Sequence, residues 1–269
     1  MPIALVIKAA GTNCDEEMVR AFALAGAEPT PFHVDAIIDE PALIDRADLI
    51  GFPGGFSYGD DVGSGRILAM KIRERLYPQL RDAARRGVPM IGACNGFQVM
   101  VQAGLLPGPM PGAGWPDRPA APTVALAANA DARFVDTWTP VTVEPDTACI
   151  WTRELIDSTA ASDDLLMLPS AHGEGRFVAP DAVIDDLERT GRVALRYADN
   201  FNGSRGAIAG ICDATGRILG LMPHPERYLD WNRHPYATRL DSSVRTGDTP
   251  GLRMFKNAVA AAVAEPARA

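Results

Sequence analysis

The chemistry of this sequence is most legible at Cys94, in Gly92-Ala93-Cys94-Asn95-Gly96. An apolar run, Val88 to Ala93, reads as a strand before it, and Phe97 to Ala103 reads as a helix after it. A strand that ends in Gly-x-Cys-x-Gly and opens a helix makes a sharp turn, which lifts the middle side chain above the carboxyl ends of the strands. The flanking glycines allow close approach where a Cβ would clash. Helix N-termini stabilise anions, so a sulfur placed there is favoured as thiolate. The backbone N–H of Asn95 can point at a developing oxyanion. A free cysteine is ordinarily a small buried hydrophobe; the strand–turn–helix setting makes a nucleophile the better reading.

A thiol nucleophile needs a base, and the base needs a group that orients it. The four histidines are His33, His172, His224 and His234. His224 lies in Met222-Pro223-His224-Pro225-Glu226-Arg227, directly after the apolar run Ile218 to Met222. Each proline fixes its own φ and stiffens that support. Glu226, two residues on, can return its carboxylate to the imidazole. His172-Gly173-Glu174 is a second His-x-Glu, read as part of a glycine-flanked loop from Pro169 to Gly175 and therefore less rigid. Spacing and rigidity favour His224, with His172 the competitor. His33 and His234 have no such surroundings and read as exposed loop histidines, each making a backbone hydrogen bond.

Pro53-Gly54-Gly55-Phe56-Ser57-Tyr58-Gly59-Asp60 follows another apolar run, Asp48 to Phe52. Loops at strand carboxyl ends form the ligand crevice of open α/β sheets. Adjacent glycines are most often plain turns, but this pair is a natural second donor to an oxyanion. GxxxxGK[ST] is absent, so a phosphate loop is poorly supported.

The elements that must position these groups alternate strand and helix: Ile3 to Ile7, a helix from Asp15 to about Ala25, Asp48 to Phe52, a helix over roughly Gly65 to Arg86, then Val88 to Ala93 and its helix. Such alternation implies an α/β fold, an open and mostly parallel sheet with helices on both faces. Residues 107–122 hold six Pro and three Gly and read as a long loop. Beyond Thr123 the stretches are shorter: Val124 to Leu126, Arg133 to Thr139, Val193 to Tyr197, Ala207 to Ile211 and Ile218 to Met222. They suggest antiparallel strands in the C-terminal half, with Asp213 to Arg217 a hairpin turn. Residues 230–249 read as a second long loop, and Leu252 to about Ala264 as a closing helix. No linker divides the 269 residues, so a single domain over 1–269 is expected.

Composition excludes several classes. A formal net charge of −8 opposes nucleic acid and anionic membrane surfaces. Cys14, Cys94, Cys149 and Cys212 form no CxxC pair, so no metal site is expected; their sparseness suits a reducing, cytoplasmic setting. The N-terminus lacks a basic n-region, and no apolar run is long enough to span a bilayer.

With these residues in place, the sequence resembles the class I, triad-type glutamine amidotransferases. Gly11-Thr12-Asn13-Cys14-Asp15, Gly54 to Asp60, Gly92 to Gln98, Ala171-His172-Gly173-Glu174-Gly175 and Pro223 to Arg227, in that order, resemble in particular the family of phosphoribosylformylglycinamidine synthase glutaminase subunits. The resemblance implies a flavodoxin-like fold and a catalytic triad of Cys94, His224 and Glu226. It implies a glutamyl thioester on Cys94, an oxyanion held by Gly54-Gly55 and Asn95, and Gln98 beside bound glutamine. It places His172 and Glu174 on a partner-facing loop and makes Cys14 structural, with a gating role as the alternative. It implies no cofactor in this chain. ATP and Mg would be bound by a partner synthetase subunit, joined through a small bridging subunit, that makes formylglycinamidine ribonucleotide in purine biosynthesis. Asn200-Phe201-Asn202-Gly203-Ser204 and the two long loops depart from the family pattern. The alternatives are a triad amidotransferase feeding a different synthetase, a cysteine hydrolase of related fold, and a silent binding subunit. The Phe-Ser-Tyr-Gly-Asp and His-Gly-Glu-Gly blocks disfavour the first, and the His-Pro-Glu block the second. The intact triad disfavours the third.

Overall fold

The structure, a computed structural model, describes residues 1–160 and 162–264. Residues 161 and 265–269, which the single-domain expectation includes, lie outside the described residues. In chain order the N-terminal elements are β1 (Ile3–Lys8), α1 (Asp15–Leu24), β2 (Glu28–His33), α2 (Val34–Asp39), α3 (Ala42–Asp45), β3 (Leu49–Phe52), α4 (Arg66–Arg75), α5 (Tyr77–Arg85), β4 (Met90–Ala93) and α6 (Asn95–Ala103). They are followed by β5 (Ala125–Ala127), β6 (Val135–Val143), α7 (Leu155–Thr159), β7 (Met167–His172), β8 (Arg176–Val178), α8 (Asp181–Arg189), β9 (Val193–Tyr197), β10 (Ile208–Cys212), β11 (Ile218–Leu221) and α9 (Pro250–Ala264).

One sheet runs in the order β2-β1-β3-β4-β11-β10-β9-β6-β7. The pairs from β2 through β11 are parallel, and those from β11 to β7 are antiparallel. β5 and β8 form a separate antiparallel pair. Every residue of β3, β4 and β11 is buried, as unbroken apolar runs covered on both faces by helices require. α5 turns Tyr77, Leu80, Ala83 and Ala84 inward at helical spacing. α9 packs on α1, with Phe255 meeting Phe22 edge-on at 5.1 Å. The result is the expected α/β sheet with antiparallel strands toward the C-terminus.

Several local expectations are corrected. The helix expected over 65–86 is two helices. Leu76 leaves helical geometry at φ −127°, and Pro78 in the first turn of α5 withdraws a backbone donor and crowds the preceding turn. β11 is not an antiparallel addition; it pairs in parallel with β4 and continues the parallel half, while β10 turns back from it. β2 and β7 carry prolines (Pro29, Pro31 and Pro169) and form the two sheet edges, where a missing N–H is tolerated. Proline hid both from sequence reading, so Pro169 to His172 is strand and not the loop expected there. Residues 107–122 are a loop as expected, but a pinned one. Arg73 donates to the Gln102 carbonyl at 2.8 Å and the Ala120 carbonyl at 3.2 Å, and Arg85 to the Trp115 carbonyl at 2.8 Å.

Candidate active site

β4 ends at Ala93 and α6 begins at Asn95, leaving Cys94 alone in the turn at φ 52°, ψ −110°. A non-glycine residue holds such a conformation only where its surroundings over-determine it. Here they do: Cys94 N donates to the Leu221 carbonyl at 2.8 Å, and Gln98 N to the Cys94 carbonyl at 3.2 Å. Both flanking glycines are required by close approach. A Cβ on Gly92 would meet Gly96 C at 2.7 Å, and one on Gly96 would meet the Phe52 carbonyl oxygen at 1.9 Å. The start of α6 is thus pressed against the end of β3. Asn95, first in α6, has a backbone N–H without an intrahelical acceptor. The Cys94 thiol donates to the Ala171 carbonyl at 3.6 Å.

His224 follows β11, and its backbone N–H donates to the Pro169 carbonyl of β7 at 2.7 Å. The antiparallel half of the sheet therefore curls until its free edge returns to the site. His224 Nδ1 lies 2.7 Å from Glu226 Oε1, with both side chains buried. Burial opposes the imidazolium, but the Glu226 carboxylate and the Cys94 sulfur outweigh it and hold His224 protonated well above its usual range. Gly54 backs this ring: a Cβ there would sit 2.5 Å from His224 Cε1. Gly55, at φ +142°, adopts a backbone open mainly to glycine.

The Asn95 and Gln98 side chains tie the loops together. Asn95 donates to Asp60 Oδ1 at 3.2 Å and to Gln98 Oε1 at 3.1 Å, and accepts from Ser57 N at 3.3 Å. Gln98 donates to the Glu174 carbonyl at 2.5 Å. Glu174 is exposed and borders a cleft of about 280 Å³ that is also lined by Ser64, Arg66, Gln98, Gln102 and Leu126. Asp60 draws the glycine loop onto α4, accepting from Gly65 N and Ser64 Oγ at 3.2 Å each. Burial raises its carboxyl above the usual range against those bonds.

Residues 1–260 match the CobB/CobQ-like glutamine amidotransferase domain family. The phosphoribosylformylglycinamidine synthase subunit PurQ of Dehalococcoides mccartyi is 37% identical, over 95% of this chain and 95% of its own length. PurQ of Corynebacterium jeikeium is 40% identical over 84% of this chain and 87% of its own. The chain belongs to the PurQ family. It is a glutamine amidotransferase. A solved chain from "Structure of PurLQS from Thermotoga maritima" is 30% identical and superposes with a TM-score of 0.67, covering 97% of this chain and 98% of that one.

Three residues of this PurQ family member are not where the sequence suggested. His172, expected on a loop, ends strand β7 and its side chain is buried; of that pair only Glu174 is exposed. Cys14 joins the site. Its sulfur accepts from Arg227 Nη2 at 3.0 Å, and Sγ, a His224 ring nitrogen and a Glu226 carboxylate oxygen lie within 4.8 Å of one another. That spacing would suit a cation, but hydrogen bonds and the Arg227 guanidinium already fill it. Burial above all pushes the Cys14 thiol up, although His224 and Arg227 pull the other way. Sequence reading missed Asp60, Arg227 and Asn129, which act through other side chains. The Asp60 and Arg227 positions fall inside the quoted blocks; nothing marked Asn129. His234, expected exposed, is buried with Nε2 2.7 Å from the Asp164 carbonyl.

Proposed function

We propose that this chain hydrolyses glutamine at Cys94 and delivers the ammonia to a synthetase subunit of purine biosynthesis. The observation that carries the reading is the strained Cys94 turn standing beside the buried His224–Glu226 pair. His224 holds the proton given up by the thiol, and Cys94 Sγ attacks the side-chain amide carbon. Glu226 stabilises the imidazolium so formed and fixes the ring. The backbone N–H groups of Asn95 and Gly55 hold the oxyanion, with Gly54 leaving room for the imidazole. His224 returns the proton to the amide nitrogen, the C–N bond breaks, and ammonia departs from a glutamyl thioester. A water deprotonated by His224 then attacks the thioester carbon, releasing glutamate and restoring the thiol. Gln98, one turn beyond Cys94 and held on the Glu174 carbonyl, lies beside the bound glutamine.

The similarity to a chain of the PurLQS structure from Thermotoga maritima supports an assembly with a synthetase and a small bridging subunit. In that assembly ATP and Mg belong to the synthetase, which converts formylglycinamide ribonucleotide to its amidine in the cytoplasm. Among the described residues no helix is long and apolar enough to cross a membrane. Glutamate release by wild type and Cys94→Ala, each with and without the partner subunits, tests the reading. Loss in the variant and stimulation of wild type by the partners are expected. Undiminished hydrolysis in Cys94→Ala would refute it.

A further inference from the structure

Four buried polar groups in the antiparallel half of the sheet take no part in the chemistry above. Register places them on one face. Across β6 and β7, Thr139 pairs with Leu168, Thr137 with Ser170 and Val135 with His172; across β6 and β9, Val141 pairs with Tyr197. Directly opposed residues, and residues two apart along a strand, point to the same side. Thr139, Ser170, His172 and Tyr197 therefore share a face, and each is at most 3% exposed. Thr139 Oγ1, Ser170 Oγ and His172 Nε2 have no hydrogen-bond partner among the described residues, and Tyr197 Oη has only the Asn202 side chain beside it. Leaving one such group unsatisfied costs about 1–3 kcal/mol, so several on one face point to a small polar occupant.

This face adjoins the nucleophile. The carbonyl that accepts the Cys94 thiol belongs to Ala171, between Ser170 and His172. Phe201 supplies an apolar wall, stacked on His172 at 5.7 Å and edge-on to Tyr197 at 5.0 Å. The tautomer of His172 follows from its partner. Asn129 Nδ2 donates to the carbonyls of Arg133 at 2.8 Å and His172 at 2.9 Å, so Oδ1 is the atom 3.1 Å from His172 Nδ1. An amide oxygen only accepts, so Nδ1 carries the ring proton and Nε2 is a bare acceptor. Burial first, and the charge on His224 second, bring the His172 pKa down to about 4. The ring is neutral at physiological pH and does not protonate what it binds.

We infer that Thr139, Ser170, His172 and Tyr197, at successive levels along the strands, line a polar row that holds ammonia released at Cys94. The inference rests on the proposed glutaminase reading and adds the first station of the ammonia path. Ammonia donates to His172 Nε2 and to hydroxyl oxygens, and its lone pair accepts a hydroxyl proton. Ammonium would meet the His224 charge in surroundings of low dielectric constant, so the site selects the neutral, nucleophilic form.

The test uses the complete complex with its synthetase and bridging subunits. Variants are His172→Phe, which removes the acceptor, and the nearly isosteric Thr139→Val and Ser170→Ala. The readout is amidine product per glutamate released, beside synthesis driven by ammonium chloride. The ratio is expected to fall about fivefold in each variant, the size of one lost neutral hydrogen bond, with ammonium-driven synthesis as in wild type. A wild-type ratio in all three overturns the proposal. So does loss of glutamate and product together at constant ratio, the signature of a merely structural role. Failure of the underlying reading looks different: the wild-type complex itself would make no product from glutamine.

Discussion

Replacing Gly96 by alanine should disable the nucleophile without touching any chemical group. The added Cβ would lie 1.9 Å from the Phe52 carbonyl oxygen and 2.7 Å from its carbon, whereas real Cβ contacts essentially never fall below 3.0 Å. The first turn of α6 must therefore move away from β3 by at least about 1.1 Å (3.0 less 1.9), because both partners are backbone. Gly96 is two residues from Cys94, so the sulfur is carried with it relative to His224, which is anchored separately to Pro169. Misplacement by about 1 Å costs on the order of 10²-fold in rate. Overpacking costs about 1–3 kcal/mol of stability. Gly114→Ala is the matched control: nothing lies within 4 Å of its Cβ. Glutamate release by the assembled enzyme and thermal unfolding of both variants would be measured. A Gly96→Ala enzyme with wild-type turnover and melting temperature would refute the claim that close packing of α6 on β3 sets the position of the thiol.

Glu226→Gln keeps the shape of the side chain but removes the charge that holds His224 protonated. Turnover should fall about 10²–10³-fold, the worth of one aimed electrostatic contact; a smaller loss than tenfold would count against Glu226 as the orienting group. Because the folded pKa of His224 is raised, the pair's contribution to stability is fully present below pH 6.5 and is lost as pH rises through the raised value. Denaturant melts should show the gap between wild type and Glu226→Gln widest near pH 6 and narrowing in alkali. His172 titrates in the opposite sense. Its folded pKa is depressed from 6.5 to about 4, so its contribution is present above pH 6.5 and is lost as pH falls toward 4. Wild type should lose about 3 kcal/mol across that window through this group, and His172→Gln should have a flatter acid limb. Identical acid limbs would show that His172 is not the buried neutral base described above.

The sequence by itself singled out Cys94, His224 and Glu226 as candidate nucleophile, base and orienter, because the patterns that mark them are local. A strand, a Gly-x-Cys-x-Gly turn and a helix follow one another without interruption, and His224 and Glu226 stand two residues apart on a proline-stiffened turn. It also marked β1, β3 and β4, which read as short apolar runs because they lie in the middle of a parallel sheet, although it took the equally apolar β11 for an antiparallel strand. Edge strands escaped it, because an edge tolerates proline and proline reads as loop; β2 and β7 were hidden in this way. The same error turned His172 from a buried strand residue into a surface loop residue. Tertiary structure alone decided what lies around the triad. Cys14 reaches His224 and Glu226 from the first βα connection, and Asn129 sets the tautomer of His172 from 43 residues away. The curl that brings β7 back to Cys94 and His224 is a property of the whole sheet. Neighbours separated by tens of residues leave no periodic trace in a single sequence, since which side chains meet is fixed only when strands acquire a register and the sheet acquires its curvature.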